Sequence, residues 1–241
     1  MMEKIRKVLY REGKYFYWRS GDLHTSHGMI KEEQLKKAEG EIATHTGVKM
    51  YALEPSYVDM IKKIKRDPQT LMPKDLAIIT FYTGIDRKYR IVDAGTGCGL
   101  LAACMARMAK EVTSYDVNEG YLKMAEGNLK FLGIKNVKLK HKDIYEGIDE
   151  KGIDLITLDL PEPWHVLKHA DKSLKQSGYL VTYLPTTVQV SQLVEESRNH
   201  SFIHLKTVEL LEREWHVEGK KVRPRSQMIG HTAFLTFLRK V

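Results

Sequence analysis

Cysteine is scarce in this chain: Cys98 and Cys104 are the two thiols among 241 residues. That is too few for a disulfide framework or a cysteine-built zinc site. Long apolar runs are missing as well. The longest, such as residues 76–82, fall far short of the ~20 residues that span a bilayer. The opening Met-Met-Glu-Lys-Ile-Arg is not followed by the apolar stretch of a secretory signal. Few thiols and no export signal point to a reducing, cytoplasmic setting and away from a membrane. No low-complexity run or solenoid-period repeat occurs, which excludes the repeat architectures. Acidic residues are in deficit, 31 against 39 Lys and Arg, for a net charge of +8. Residues 1–74 hold 15 basic and 10 acidic side chains, so most of the surplus lies there. A surplus of this sign favours a polyanionic partner, but basic proteins without one are common, and charge alone does not decide.

What is present is ordinary for a globular protein: 42% hydrophobic and 29% charged residues. The length suits one substantial core plus a small accessory domain. The patterning divides at about residue 70. Short strands at 8–10, 15–19, 41–44 and 49–53, separated by Gly13, Gly21 and Gly47, predict a small antiparallel sheet or barrel. A serine-capped amphipathic helix follows from Ser56 and ends before Asp67-Pro68. Residues 71–241 form the second domain, in which helices (74–83, 99–110, 119–132, 164–174, 187–200) alternate with strands (90–94, 112–116, 137–142, 153–160, 179–184). Such alternation predicts an α/β fold with a mostly parallel sheet covered on both faces. The tail breaks the rule, with strand-like segments at 205–215 and 232–238 and no helix between them. They predict an antiparallel closure of the sheet, the arrangement of class I methyltransferases.

The strongest local motif is Ile91-Val-Asp-Ala-Gly-Thr-Gly-Cys-Gly99, a buried strand turning through alternate glycines into a helix. Gly95, Gly97 and Gly99 allow backbone to approach a ligand closely. The dinucleotide fingerprint needs a glycine where this chain has Leu100, which argues against NAD. Asp93 fits a different ligand, because a carboxylate at the strand end suits the ammonium of a methionine-derived cofactor and would repel a pyrophosphate. Thr96 and Leu100 share that loop. Asp116 and Asp143 end the next two strands, where they could accept ribose hydroxyls and an adenine amine. Each acid alone is weak evidence; three at successive strand ends mark one crevice. The cofactor expected is S-adenosylmethionine.

The fourth strand ends in Leu158-Asp-Leu-Pro-Glu-Pro-Trp164, whose prolines hold an extended segment that can present Asp159. At this point the chain resembles the TrmI-type tRNA adenine-N1 methyltransferases over nearly its whole length. The likeness is carried by His24-Thr-Ser-His-Gly28, Lys65-Arg-Asp-Pro-Gln69, Pro73-Lys-Asp75 and the glycine loop. It continues through Asp159-Leu-Pro-Glu-Pro-Trp164, Tyr183-Leu-Pro185 with Gln189, Arg213-Glu-Trp215, Arg223-Pro224 and Gly230-His-Thr-Ala-Phe-Leu235. The family often has tyrosine where this chain has Met72, so an aromatic contact to the base is not expected there.

The resemblance implies transfer of a methyl group to N1 of an adenine in the TΨC loop of tRNA, at position 58 with 57 open as a second target. It implies a homotetramer, with Asp159 against the Watson–Crick edge and Tyr183 and His231 lining the pocket. Adenine N1 has a lone pair and no proton, so Asp159 stabilises a developing cation and need not act as a base. The base must leave the tRNA elbow to reach the site. Trp164 and Tyr183 could stack on it, and Lys74, Arg213 and Arg223 could meet phosphates; core packing and ordinary surface charge are the plainer readings. His165 and His169 have helical ligand spacing without a third ligand, and His24 and His27 fit a turn, so no metal site is expected. Cys98 could lie near the cofactor because of its loop, though a small filler explains it as well, and Leu101, Met105 and Met108 read as a helix core face. Competing readings are a methyltransferase for protein isoaspartate or a small molecule, a non-catalytic RNA-binding subunit, and an NAD oxidoreductase.

Overall fold

A computed structural model describes residues 3–66 and 71–241, so Asp67, Pro68 and Gln69 of the quoted motifs lie outside the described residues. The chain divides into two compact units, one of Met1–Lys65 with Lys130–Gly133 and one of Arg66–Leu129 with Ile134–Val241.

The first unit holds β1 (Lys7–Arg11), β2 (Lys14–Trp18), β3 (Leu23–Thr25), β4 (Gly28–Ile30), α1 (Glu32–Lys37), β5 (Gly40–Ala43), β6 (Lys49–Leu53) and α2 (Tyr57–Ile61). Strands β2-β1-β6-β5 form an antiparallel sheet, and β3 and β4 pair as a separate hairpin. The β1–β2 turn is the pair Glu12-Gly13, both at positive φ, the two-residue geometry that matches strand twist. Period-two alternation sends Leu9, Trp18 and Met50 to one face, where they pack with Ile30 and Leu35. Ser56 caps α2 in a reciprocal box with Asp59, but the helix stops at Ile61, well short of the predicted end. The β3–β4 hairpin and α1 were not legible in the sequence because three-residue strands and a six-residue helix are too short to show a period.

The second unit runs α3 (Pro73–Thr83), β7 (Arg90–Ala94), α4 (Leu100–Ala106), β8 (Glu111–Asp116), α5 (Glu119–Leu132), β9 (Val137–His141), β10 (Ile153–Leu158), α6 (Leu167–Ser173), β11 (Leu174–Leu184) and α7 (Thr187–Ser197). It ends with β12 (Phe202–Val208), β13 (Trp215–Glu218), β14 (Lys221–Pro224) and β15 (Phe234–Lys240). Its sheet has the order β12-β15-β11-β10-β7-β8-β9. Strands β9, β8, β7, β10 and β11 are parallel, and β15 inserts antiparallel between β11 and β12. The α/β fold with antiparallel closure is the one expected. Apolar strand residues, Val92, Ile156, Leu158, Leu180 and Leu238 among them, form the core with Val166 and Leu167.

Two boundaries differ. The predicted strand at 205–215 is β12 ending at Val208, and Trp215 opens a separate β13–β14 hairpin. Strand β12 pairs on one side only, with an irregularity at His204/Lys206, so nothing holds its continuation in the ladder. The helix after the glycine loop ends at Ala106, four residues early. In this order the chain moves from β7 to β8 on one side and reaches β10 on the other. The crevice outside the carboxyl ends of β7 and β10 is therefore the topological switch point, where open α/β sheets bind ligands.

Candidate active site

Strand β7 delivers Asp93 to that crevice and the loop 95–99 turns there into α4. Gly95 has φ +87°, and a Cβ placed on it would lie 2.3 Å from the carbonyl oxygen of Asp159. The loop is thus pressed against the end of β10, whose Asp159 N–H donates to the Ala94 carbonyl at 2.9 Å. Gly99 packs on α5, with a Cβ there 3.0 Å from that of Ala125. Asp116 holds the loop from the other side, accepting from the Gly97 N–H at 3.1 Å and the Asn118 N–H at 2.8 Å.

These elements enclose a cavity of about 170 Å³. Of the predicted cofactor residues, Gly95, Thr96, Gly97, Leu100, Asp116 and Asp159 line it, and Asp93, Gly99 and Asp143 do not. Asp93 is enclosed beneath the loop, its oxygens accepting from Ser114 Oγ at 2.6 Å and Thr157 Oγ1 at 2.7 Å. Asp143 caps the short helical turn Ile144–Glu146 through the Tyr145 N–H at 2.8 Å. Sequence reasoning missed Tyr121 and Leu71 on the cavity wall and took Leu101 for core, while Cys98, left open between cofactor neighbour and filler, is on the wall. Tyr121 carried a signal, since it stands in the first turn of the helix that follows the strand-end acid Asp116.

Burial drives the electrostatics. Removal from water pushes the Asp159 carboxyl up to about 7, with the negative charge of Asp93 adding to the effect. Asp93 is pushed up to about 6 by burial, while its two hydroxyl donors pull the other way. Burial also raises the Tyr183 phenol to about 12, with the charges of Asp75 and Asp159 acting in the same direction.

Tyr183 stands at the end of β11 with its hydroxyl 3.5 Å from Asp75 Oδ2. His231 is exposed, with Nδ1 2.5 Å from Glu209 Oε1 and Nε2 2.8 Å from the Pro185 carbonyl. Both partners only accept, so the ring satisfies both as an imidazolium, and the Glu209 bond raises its pKa. Neither Tyr183 nor His231 lines the 170 Å³ cavity.

Three minor assignments resolve differently from one another. Trp164 is packed in the core and donates to His165 Nε2 at 3.1 Å, an arrangement that accounts for it by packing. The Lys74 ammonium donates to Asp75 at 2.8 Å and to Thr232 at 2.7 Å, so it is part of a buried network as well as a wall residue of the larger cavity that Arg223 also lines. Arg213 and Arg223 are exposed, and Arg223 lines a second, open cavity of about 810 Å³. Among the described residues no three His, Cys, Asp or Glu side chains converge as a metal site, and no helix is long and apolar enough to cross a membrane.

A family model described as the tRNA methyltransferase complex GCD14 subunit matches residues 61–223. The chain belongs to this family. Among its GCD14-type relatives is the tRNA (adenine(57)-N(1)/adenine(58)-N(1))-methyltransferase TrmI of Methanocaldococcus jannaschii, 36% identical, with 83% of this chain and 81% of the relative covered. The tRNA (adenine(58)-N(1))-methyltransferase TrmI of Thermus thermophilus is 34% identical, with 91% and 89% covered. Two crystal structures are similar throughout. A SAM-dependent O-methyltransferase of Thermotoga maritima has a TM-score of 0.89 at 33% identity, covering 100% of this chain and 94% of its own. The tRNA (m1A58) methyltransferase TrmI of Aquifex aeolicus has a TM-score of 0.86 at 30% identity, covering 100% and 98%. The GCD14-type fold is therefore a class I methyltransferase sheet with an antiparallel strand next to its edge, and both neighbours carry it at full length.

Proposed function

We propose that the protein transfers a methyl group from S-adenosylmethionine to N1 of adenine in the TΨC loop of tRNA, at position 58, with 57 as a second candidate. The observation that carries this is the placement of Asp159: a half-buried carboxylate on the wall of the glycine-loop cavity, in a chain whose relatives act on that base. The cavity suits the cofactor. Gly95, Thr96 and Gly97 offer a loop free of bulk, Asp116 offers a fixed carboxylate for ribose hydroxyls, and Tyr121 an aromatic wall. Asp93 supports the loop through Ser114, which also bonds Thr96 at 2.7 Å.

When bound, the cofactor supplies an electrophilic methyl group on a cationic sulfur. The chain does the rest. Asp159 accepts a hydrogen bond from the exocyclic amine and stabilises the positive charge that grows on the base. Tyr183 and His231 belong to the base-binding side, and Arg213 and Arg223 meet phosphates. Assembly as a homotetramer in the cytoplasm belongs to the same proposal. The exposure of Leu211, Trp215, Val217 and Val222 on the single chain, 55–70% each, supports an interface there.

A second reading, methylation of a hydroxyl, is favoured by the Thermotoga maritima neighbour and by an Asp159 poised near 7 to take a proton. Nucleoside mass spectrometry with position mapping, on unmodified tRNA incubated with protein and cofactor, separates the two. N1-methyladenine at 58, made by a species sedimenting as a tetramer, is expected. An O-methylated product, or none with tRNA, would sink the proposal.

Cofactor binding should depend on pH in a defined direction. Because the folded pKa of Asp159 is raised, its ionisation lowers folding stability as pH rises from the usual carboxylate range through about 7. A cationic ligand reverses this by favouring the ionised form. Affinity for S-adenosylmethionine should therefore increase as pH rises through about 7, with proton release on binding. Calorimetry in buffers of different ionisation enthalpy measures both; affinity that stays flat across this range would count against a cation beside Asp159.

A further inference from the structure

Asp75 is fully enclosed, with 0% of its surface exposed, and its carboxyl is paired with the Lys74 ammonium. Its Oδ1 accepts from Lys74 Nζ at 2.8 Å, and its Oδ2 from Thr232 Oγ1 at 3.1 Å and, at the outer limit, from the Tyr183 hydroxyl at 3.5 Å. Lys74 also donates to Thr232 Oγ1 at 2.7 Å. Three segments far apart in sequence meet here: the first turn of α3, the end of β11 and the residues before β15. A buried ion pair is a poor way to hold a helix in place, because desolvation consumes most of the attraction and apolar packing would serve as well. The network therefore calls for another explanation, and its hydrogen-bond directions suggest one.

A carboxylate only accepts, so in its long contact with Asp75, at 3.5 Å, the Tyr183 phenol is the donor. The Thr232 hydroxyl also bonds the phenol, and with the proton turned toward Asp75 the remaining lone pair of the phenol oxygen is left to accept. Adenine offers a donor at that position in its exocyclic amine, whereas a 6-oxo purine offers an acceptor. We propose that Asp75, with Lys74 and Thr232, is a positioning group that fixes the Tyr183 proton so that the phenol oxygen accepts a hydrogen bond from the exocyclic amine of the target base. This rests on the reading given under Proposed function and deepens it: Tyr183 becomes a reader of amino against oxo purines, set by a residue that never touches the substrate.

The test is a double-mutant cycle on tRNA methylation. Asp75→Asn is nearly isosteric but can donate through its amide, which frees the phenol proton to turn toward the base. It should lower kcat about tenfold, the worth of one charge-assisted hydrogen bond, with KM for tRNA and cofactor within about twofold. In a Tyr183→Phe background the same substitution should change kcat by less than about twofold, because the group it acts through is gone. Thr232→Val probes the same network should Asp75→Asn fold poorly, with the same loss of effect in the Tyr183→Phe background expected and Thr232→Ser restoring the rate. Losses of equal size in both backgrounds would mean that the network only holds α3, and would overturn the inference alone. A wild-type protein inactive on tRNA adenine would overturn the parent reading and this one with it.

Discussion

Replacing Asp159 with alanine should abolish the rise of S-adenosylmethionine affinity through about pH 7, leaving affinity near that of the protonated wild type, and slow the methyl-transfer step by roughly 100- to 1000-fold, the usual loss when one preorganised electrostatic group is removed. The asymmetry follows from where charge moves. In the ground state the base is neutral, and the carboxylate offers it one hydrogen bond among several contacts. In the transition state the base carries part of a positive charge, and the same carboxylate, shielded from water, interacts with it far more strongly. Binding of the base is then nearly preserved while the rate is not. Misfolding can be told apart from this effect. The carboxyl is held up at about 7 by burial and by Asp93, so above that pH its ionised form weakens the fold. Removing it should leave the free protein as stable as wild type or more so at alkaline pH. Rapid-quench single-turnover rates, cofactor titration and a melting curve at about pH 8 report the three parts. A normal single-turnover rate would refute the role, and a collapsed melting curve would show that the substitution had acted on the fold.

How far the sequence disclosed this site depended on whether a feature was local. The glycine loop and the strand-end acids were legible because each is contiguous and sits at a strand end, and parallel topology brings successive strand ends together. The same logic could not tell which acids face the cavity. Asp93 is the penultimate residue of β7, in register with Ser114, whereas Asp116 ends β8 two residues further along; Asp93 bonds Ser114 and Thr157 while Asp116 faces the loop. That difference is set by hydroxyls on neighbouring strands, which no spacing along one strand encodes. Asp75 and Thr232 were both present in quoted motifs, but their contact spans 157 positions. The insertion of β15 beside β11 carries the residues before β15, Thr232 among them, to the end of β11, a placement that local sequence does not show. The β13–β14 hairpin was lost for a different reason: Trp215 and Val217 do alternate with His216 and Glu218, but each strand is only four residues long, too short for the period to stand out.

Gly95→Ala should be the most damaging single change in the glycine loop. Two separate costs meet at this position. The backbone sits at φ +87°, and the added methyl would lie 2.3 Å from the Asp159 carbonyl oxygen. The first is worth on the order of 1–3 kcal/mol. The second cannot be relieved by rotating a side chain, because the obstacle is backbone that is itself bonded through the Asp159 N–H to Ala94 at 2.9 Å. Relief requires the end of β10 to part from the loop, which moves Asp159 away from the cavity it lines. Loss of cofactor binding beyond the range of calorimetry is therefore expected, together with a clear drop in melting temperature. Gly97→Ala is the control that isolates the contact. Its φ is also positive, at +49°, but an added methyl would meet nothing closer than the Gly95 oxygen at 3.9 Å. It should lose only about 1 kcal/mol of stability. If the two variants behave alike in melting and in cofactor titration, backbone conformation alone sets the cost. If Gly95→Ala is far worse, the loop and the end of β10 are one rigid construction, and the same contact that shapes the cavity holds Asp159 in place.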